Sequence, residues 1–174
     1  MRAAYDPEAE SPVLDAFLTR VLPDEDVRRY LQRVLGLALL GKQLEHILPI
    51  GIGSGQNGKG KFYEAALYAW GDYGHMAEQE LFLATRNTNG AESAKPAQLA
   101  LLGKRFVVCS ETNEGAALNA ALMKNLTGGD KITARAVYGK ASVTFDPSHT
   151  ALLVTNHLPK VRGDDDAVWR RIRV

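Results

Sequence analysis

Apolar residues recur at helical spacing over the first forty positions, and then the pattern changes to short unbroken runs. Residues 1–10 are small, acidic and unpatterned, a loose lead-in. Ser11-Pro12 reads as a helix N-cap followed by proline at the first helical position. Val13, Leu14, Phe17, Leu18 and Val21 then share one side of a helix that Pro23 closes. Asp24-Glu25-Asp26 opens a second helix, placing acids where the helix dipole favours them. Its apolar face is Val27, Tyr30, Leu31, Val34, Leu35 and Ala38, with Gly41 at the expected C-cap. From His46 to Ile52 the run is apolar and short, a buried strand, followed by a glycine-rich turn and an amphipathic helix from Lys59 to Trp70. Phe106–Cys109 and Ala151–Val154 read as further buried strands. A helix near Leu118–Leu126 and a hairpin from Lys131 to Phe145 fall between them. Strands that are apolar at every position and alternate with helices predict an α/β fold with a parallel sheet covered on both faces. Residues 1–45 form its N-terminal helical segment and residues 46–174 its core.

The net charge is +1, so no overall basic field advertises nucleic acid. Contact with DNA would have to come from a local cluster, strengthened by repetition around an oligomer. Cys109 is the single cysteine, which excludes an intrachain disulfide and every multi-cysteine metal site and fits a reducing compartment. The first residues lack the apolar core of a signal peptide. No apolar run approaches the roughly 20 residues needed to span a bilayer. The longest, Val34 to Leu40, reads as a buried helical stretch. These features predict a cytoplasmic protein with no membrane association.

The chemistry concentrates at strand ends. Gly53-Ser54-Gly55-Gln56-Asn57-Gly58-Lys59-Gly60 lies between a predicted strand and a predicted helix, the context of a Walker A loop. Glycines let successive backbone N–H groups turn toward a phosphate, the helix adds its positive end, and Lys59 supplies a mobile cation. The candidate nucleotide-binding stretch extends through Lys61. Gly60 stands where a Mg²⁺-binding hydroxyl is usual, so a water replaces that ligand or metal affinity falls. The plain alternative is a glycine-rich turn capping a helix. Glu111 ends the strand Phe106–Cys109 and is placed to activate a water or hold Mg²⁺ through water. Ser110 before it is a weaker metal ligand, and the alternative for Glu111 is a solvated strand-end carboxylate. Asn156 ends the third strand and suits a γ-phosphate sensor, although asparagine is equally a turn residue. Arg162–Asp166 reads as a turn and helix N-terminus rather than a metal site. In Arg170-Arg171-Ile172-Arg173, a planar guanidinium fits a phosphate-contacting finger, against the alternative of a basic surface edge.

In this order the loop, Val107-Val108-Cys109-Ser110-Glu111, Leu126-Thr127-Gly128-Gly129-Asp130 with Ala134-Arg135, and Thr155-Asn156-His157 through Arg170-Arg171 resemble superfamily 3 helicases, and among them the phage/plasmid primase–helicase group. The resemblance implies a P-loop NTPase fold of the AAA+ kind, a hexameric ring, and ATP with Mg²⁺ bound between subunits. It implies that Lys59 binds phosphate, Glu111 is the Walker B acid, Asn156 is a sensor, and Arg171 is the finger given to a neighbour, with Arg170 as second choice. Lys124 falls where related viral helicases place a basic residue across the subunit interface. Tyr138-Gly139-Lys140 occupies the place of the hairpin that grips single-stranded DNA, with Tyr138 for stacking and Lys140 for phosphate; by itself it is an ordinary surface turn.

The function these residues predict is an ATP-dependent DNA helicase motor of a phage, prophage or plasmid replication protein. Its partners would be single-stranded DNA, further copies of itself, and a primase domain or replication-origin protein. The chain ends within what should be the last strand of that core, so one alternative is a truncated remnant that binds ATP without unwinding. A P-loop small-molecule kinase is the other; it gives the helical lead-in and the Gly-Gly-Asp segment no role.

Overall fold

The computed structural model describes residues 6–84, 95–110, 114–161 and 165–174. Two helices lead, α1 (Pro12–Val21) and α2 (Glu25–Leu39). Strand β1 (Leu48–Ile52) precedes α3 (Lys59–Trp70), then come β2 (Gly74–Ala77), the short α4 (Pro96–Leu99), β3 (Phe106–Ser110) and α5 (Ala120–Thr127). The hairpin β4 (Ile132–Ala134) and β5 (Val143–Phe145), strand β6 (Thr150–Thr155), α6 (Asp166–Trp169) and β7 (Ile172–Arg173) complete the order. Five strands form one sheet in the order β2-β3-β6-β1-β7, every pair parallel, and β4 and β5 pair antiparallel beside it.

Burial on both faces explains why the central strands are apolar between their ends. Phe106 and Val108 of β3 and Leu152 and Val154 of β6 face one side, where they pack with Ala38 of α2 and Trp70 of α3. Val107, Cys109, Ala151 and Leu153 face the other, against Met123 and Leu126 of α5, Val168 of α6, and Ile132 and Phe145 of the hairpin. Burial pushes the Cys109 thiol up to about 12, so it behaves as core packing.

The lead-in departs from its pattern in two respects. Ser11 occupies the N-cap position, but its side chain makes no capping bond, whereas Asp24 accepts from the backbone N–H of Asp26 and Val27. Of the expected apolar face of α2 only Val34 and Ala38 are buried. Val27, Leu39 and Leu40 are exposed, so the run Val34–Leu40 is not buried as a whole. The helix is nevertheless anchored to the sheet, since Arg105 donates from Nη1 to the Leu39 carbonyl at 2.6 Å. Among the described residues no helix is long and apolar enough to cross a membrane.

His149, just before β6, is fully buried, and neither ring nitrogen has a hydrogen bond of ordinary geometry among the described residues. Burial lowers its pKa from 6.5 to about 4, opposed by the Leu126 backbone. The folded state therefore holds this imidazole neutral, while the unfolded chain takes up a proton below pH 6.5. Stability should fall as pH drops from about 6.5 toward 4, by an amount on the order of 3 kcal/mol if the shift is fully expressed. Urea unfolding across that range should show this loss, and a His149→Leu chain should lack it.

Candidate functional site

Connections out of neighbouring strands diverge at one point of the sheet. From β1 the chain passes through α3 toward β2 on one face, and from β6 through α6 to β7 on the other. In a parallel sheet such a reversal opens a crevice at the carboxyl ends of the two strands. There the loop 53–58 leaves β1 and Asn156 leaves β6. The backbone bond from Gly53 N–H to the Thr155 carbonyl (3.3 Å) ties the two together.

Lys59 is the first residue of α3, and its side chain turns back into this crevice. Nζ donates to the Gly53 carbonyl, to Asn57 Oδ1 at 3.1 Å and to Asn156 Oδ1 at 3.1 Å. Its pKa is drawn below the ordinary lysine value by burial. Asn156 is held in place by its neighbour: the Thr155 hydroxyl donates to the His157 carbonyl at 2.8 Å and accepts from the His157 N–H at 3.0 Å, closing a turn around it. Thr155 is a contributor that strand patterning overlooked, though a threonine two residues before a turn is the signal that would find it.

Two glycines make the loop possible. A Cβ on Gly53 would lie 1.9 Å from Asn57 Nδ2, so the amide of Asn57 fills the curl only because that side chain is absent. Gly58 has φ +85°, and a Cβ there would meet Val21 Cγ1 of α1 at 2.6 Å. The lead-in helix thus lies directly on the loop, a contact that the apolar pattern of α1 alone did not disclose. Gln56 also takes a positive φ, 60°, a sparsely populated backbone state that recurs at ligand-binding turns.

Above the loop lies an open cleft of about 520 Å³, lined by residues 55–61, Ser110 and Asn156 among others. The Ser110 hydroxyl points to Met76 Sδ at 3.7 Å. Lys61 contributes to the cleft wall, but its Nζ pairs with Glu64 Oε2 at 2.8 Å, and that hydrogen bond raises its pKa. Gly60 offers no hydroxyl. Glu111 lies outside the described residues. A larger cleft of about 1280 Å³ opens beyond β2, between His75, Glu78, Glu80 and Asn119. Its described lining includes Lys95 and Lys131 but no glycine, whereas the loop cleft is lined by Gly55, Gly58 and Gly60 around Lys59.

The remaining candidates lie elsewhere. Register pairs Leu48 with Ile172, and the Leu48 N–H donates to the Arg171 carbonyl at 2.7 Å. Arg171 therefore sits beside the start of β1, roughly 13 Å along the strand from the end that carries the loop. Its Nη1 donates to the Ala167 carbonyl at 2.7 Å. Arg170 is exposed, 3.8 Å from Asp166. Lys124 pairs within its own chain, Nζ to Asp165 Oδ2 at 2.7 Å. Asp165 caps α6, so this part of the acidic run is a helix N-terminus as expected; residues 162–164 lie outside the described residues. Tyr138 is 97% exposed at the hairpin turn with φ 62°, and Lys140 is exposed beside it.

Fold and site together define an α/β protein, a parallel sheet flanked by helices with a strand, a glycine-rich loop and a helix meeting at its switch point. The chain belongs to the family described as a family of unknown function (DUF5906), which matches residues 52–171. It is 35% identical over 161 residues to a protein of Acanthamoeba polyphaga mimivirus provisionally named a helicase, covering 92% of this chain. It is 32% identical to another so named from Frog virus 3, covering 91%. A third relative, 25% identical over 90% of this chain, is provisionally named a primase in African swine fever virus. The chain spans 16% of the length of each of these relatives. Two solved structures of the NrS-1 C-terminal region are similar, with TM-scores of 0.63 and 0.68 over 97% and 95% of this chain and 38% of each of those. At 18% and 15% identity they share the fold. The family kinship is thus with helicase- and primase-named proteins of large DNA viruses, a broader grouping than the phage/plasmid group the motifs suggested.

Proposed function

We propose that this chain is the ATP-binding motor core of a DNA replication helicase, hydrolysing ATP between the subunits of a homo-oligomeric ring, a hexamer, as it moves on single-stranded DNA. The observation that carries this reading is the convergence of Lys59 Nζ on Asn57 Oδ1 and Asn156 Oδ1, each at 3.1 Å, at the switch point of a parallel sheet. Those oxygens hold the ammonium where phosphate oxygens would replace them. The family's helicase- and primase-named members support the same reading.

The residues fit a nucleotide triphosphate. Glycine at 53 lets the loop curl tightly enough to seat the Asn57 amide, the start of α3 adds the positive end of its dipole, and Lys59 adds a point charge. Released by Lys59, the Asn156 amide is free to hydrogen-bond the terminal phosphate or the attacking water without adding charge. Mg²⁺, when bound with the nucleotide, neutralises charge on its phosphates. Since Gly60 provides no hydroxyl, the metal would be held through water, with Glu111 and Ser110 as the chain's oxygen donors. Arg171 cannot serve the loop of its own subunit from the far end of β1, so the finger role requires a second copy, with exposed Arg170 beside it. A primase domain or origin-binding protein would act beside this core.

The hairpin supplies the DNA contact. Tyr138 is at the third position of a turn closed by Gly139 N–H to the Ala136 carbonyl at 3.0 Å, with the left-handed backbone that favours glycine. A fully exposed aromatic kept in a strained turn suits stacking on a base. Hydrolysis measured with and without single-stranded DNA, at several protein concentrations, tests the proposal. We expect stimulation by DNA and a rise in specific activity with concentration. Tyr138→Gly should raise thermal stability slightly, by up to about 1 kcal/mol, while weakening single-stranded DNA binding by roughly five- to a hundredfold. Activity indifferent to both DNA and protein concentration would refute the reading.

A further inference from the structure

The resemblance to viral helicases gives Lys124 a role across the subunit interface, yet here its charge is already engaged. Lys124 Nζ lies 2.7 Å from Asp165 Oδ2, and both side chains are only about one third exposed, at 37% and 34%. The partner matters because of what it does with its other oxygen. Asp165 Oδ1 accepts from the Ala167 N–H at 3.0 Å, closing the first turn of α6. The carbonyl of that same Ala167 accepts from Arg171 Nη1 at 2.7 Å. A continuous path of polar contacts thus runs from Lys124 on α5, through the Asp165 carboxylate and the capped turn, to the guanidinium of Arg171.

Arg171 is fixed at both ends of that path. Its backbone N–H donates to the Val168 carbonyl at 3.0 Å and its carbonyl accepts from Leu48 of β1. Its Nε is buried with no acceptor among the described residues. Among the described residues the side chain's hydrogen bond goes to α6, and α6 is only four residues long. A single turn has little stability of its own. Its geometry depends on the cap, and the cap is tethered to α5 by Lys124.

We propose that Lys124 is a positioning residue for Arg171, acting within its own subunit by holding Asp165 at the head of α6, rather than a residue that reaches into a neighbour's site. The structural part concerns this chain alone; the catalytic consequence rests on the reading of Arg171 as the finger. The lowered pKa of Asp165, caused first by its hydrogen bond from Lys124, agrees with the pairing.

The test uses Lys124→Met, which removes the charge, Asp165→Asn, which keeps a capping oxygen but removes the charge, their double variant, and Lys124→Arg. The readout independent of activity is the Arg171 Nε–H resonance, assigned by its loss in Arg171→Lys. In the native chain this proton should exchange slowly. Exchange should quicken about tenfold in Lys124→Met, in Asp165→Asn and, without further increase, in the double variant, because the two act through one contact. Lys124→Arg should retain the protection. Far-UV circular dichroism establishes that each variant is folded. Undiminished protection in a folded Lys124→Met, or additive effects in the double variant, would overturn the proposal.

Hydrolysis is followed in the same set. Turnover should fall about tenfold in the single variants and no further in the double, with the Michaelis constant for ATP unchanged. If the exchange pattern holds but the native chain shows no Lys59-dependent hydrolysis, the nucleotide reading fails and the brace stands. If native hydrolysis depends on Lys59 but the exchange pattern is absent, the brace fails alone.

Discussion

Arg171→Ala should reduce ATP hydrolysis by about a thousandfold or more while leaving nucleotide affinity close to that of the native chain, the signature of a finger acting on charge that develops in the transition state. The expectation follows from register. The pairing of Leu48 with Ile172 places Arg171 at the start of β1, and the loop leaves the other end. Its loss therefore cannot disturb phosphate contacts within the same subunit. Mixing Arg171→Ala subunits with Lys59→Ala subunits should recover part of the activity, because each supplies the component that the other lacks at a shared interface. A drop in ATP affinity equal to the drop in turnover would instead place Arg171 in ground-state binding. The same variant removes the bond to Ala167, so thermal unfolding should be followed to separate loss of packing from loss of chemistry.

Lys59→Ala carries the second large effect. The three oxygens around Nζ belong to Gly53, Asn57 and Asn156; Asn57 and Asn156 line an open cleft, where their amides can turn to water when the ammonium is gone. The stability cost should therefore be small, under about 1 kcal/mol. The cost to nucleotide binding should be larger, since a charge-assisted hydrogen bond contributes about 1.5–3 kcal/mol, a roughly ten- to hundredfold loss of affinity, with hydrolysis falling below detection. Lys59→Arg should not rescue, because the planar fork has a different reach from a point ammonium on a flexible stem. Calorimetric titration with ADP and steady-state hydrolysis measure the two quantities separately.

The contrast between legible and hidden features has physical causes. Helix α3 is expected and found at Lys59–Trp70, because the glycine loop and amphipathic spacing mark its start and course. The strands β3 and β6 are legible because coverage on both faces leaves Phe106–Cys109 and Ala151–Val154 without a polar position, the polar Ser110, Thr150 and Thr155 falling at strand ends. Strand β2 escaped notice: Gly74-His75-Met76-Ala77 is four residues long, lies at the sheet edge and carries no β-branched residue. Its pairing is supplied by the neighbouring β3, a tertiary effect with no local signal. The site divides in the same way. Lys59 and Asn156 come together because the loop that leads to Lys59 and the turn that carries Asn156 each leave the carboxyl end of a strand that the pattern identified, and these two strands turn out to be neighbours. The register pairing Arg171 with the opposite end of β1, the contact of Val21 with Gly58, and the engagement of Lys124 by Asp165 depend on packing between distant segments, which periodicity does not encode.

Backbone amide shifts during titration with ADP and Mg²⁺ test the central claim most directly. Saturable shifts should cluster at residues 53–61 and at Thr155 and Asn156, and the cluster should disappear in Lys59→Ala. Shifts confined to the larger cleft around His75, Glu78 and Asn119, or an unchanged response in the lysine variant, would contradict a phosphate site on this loop.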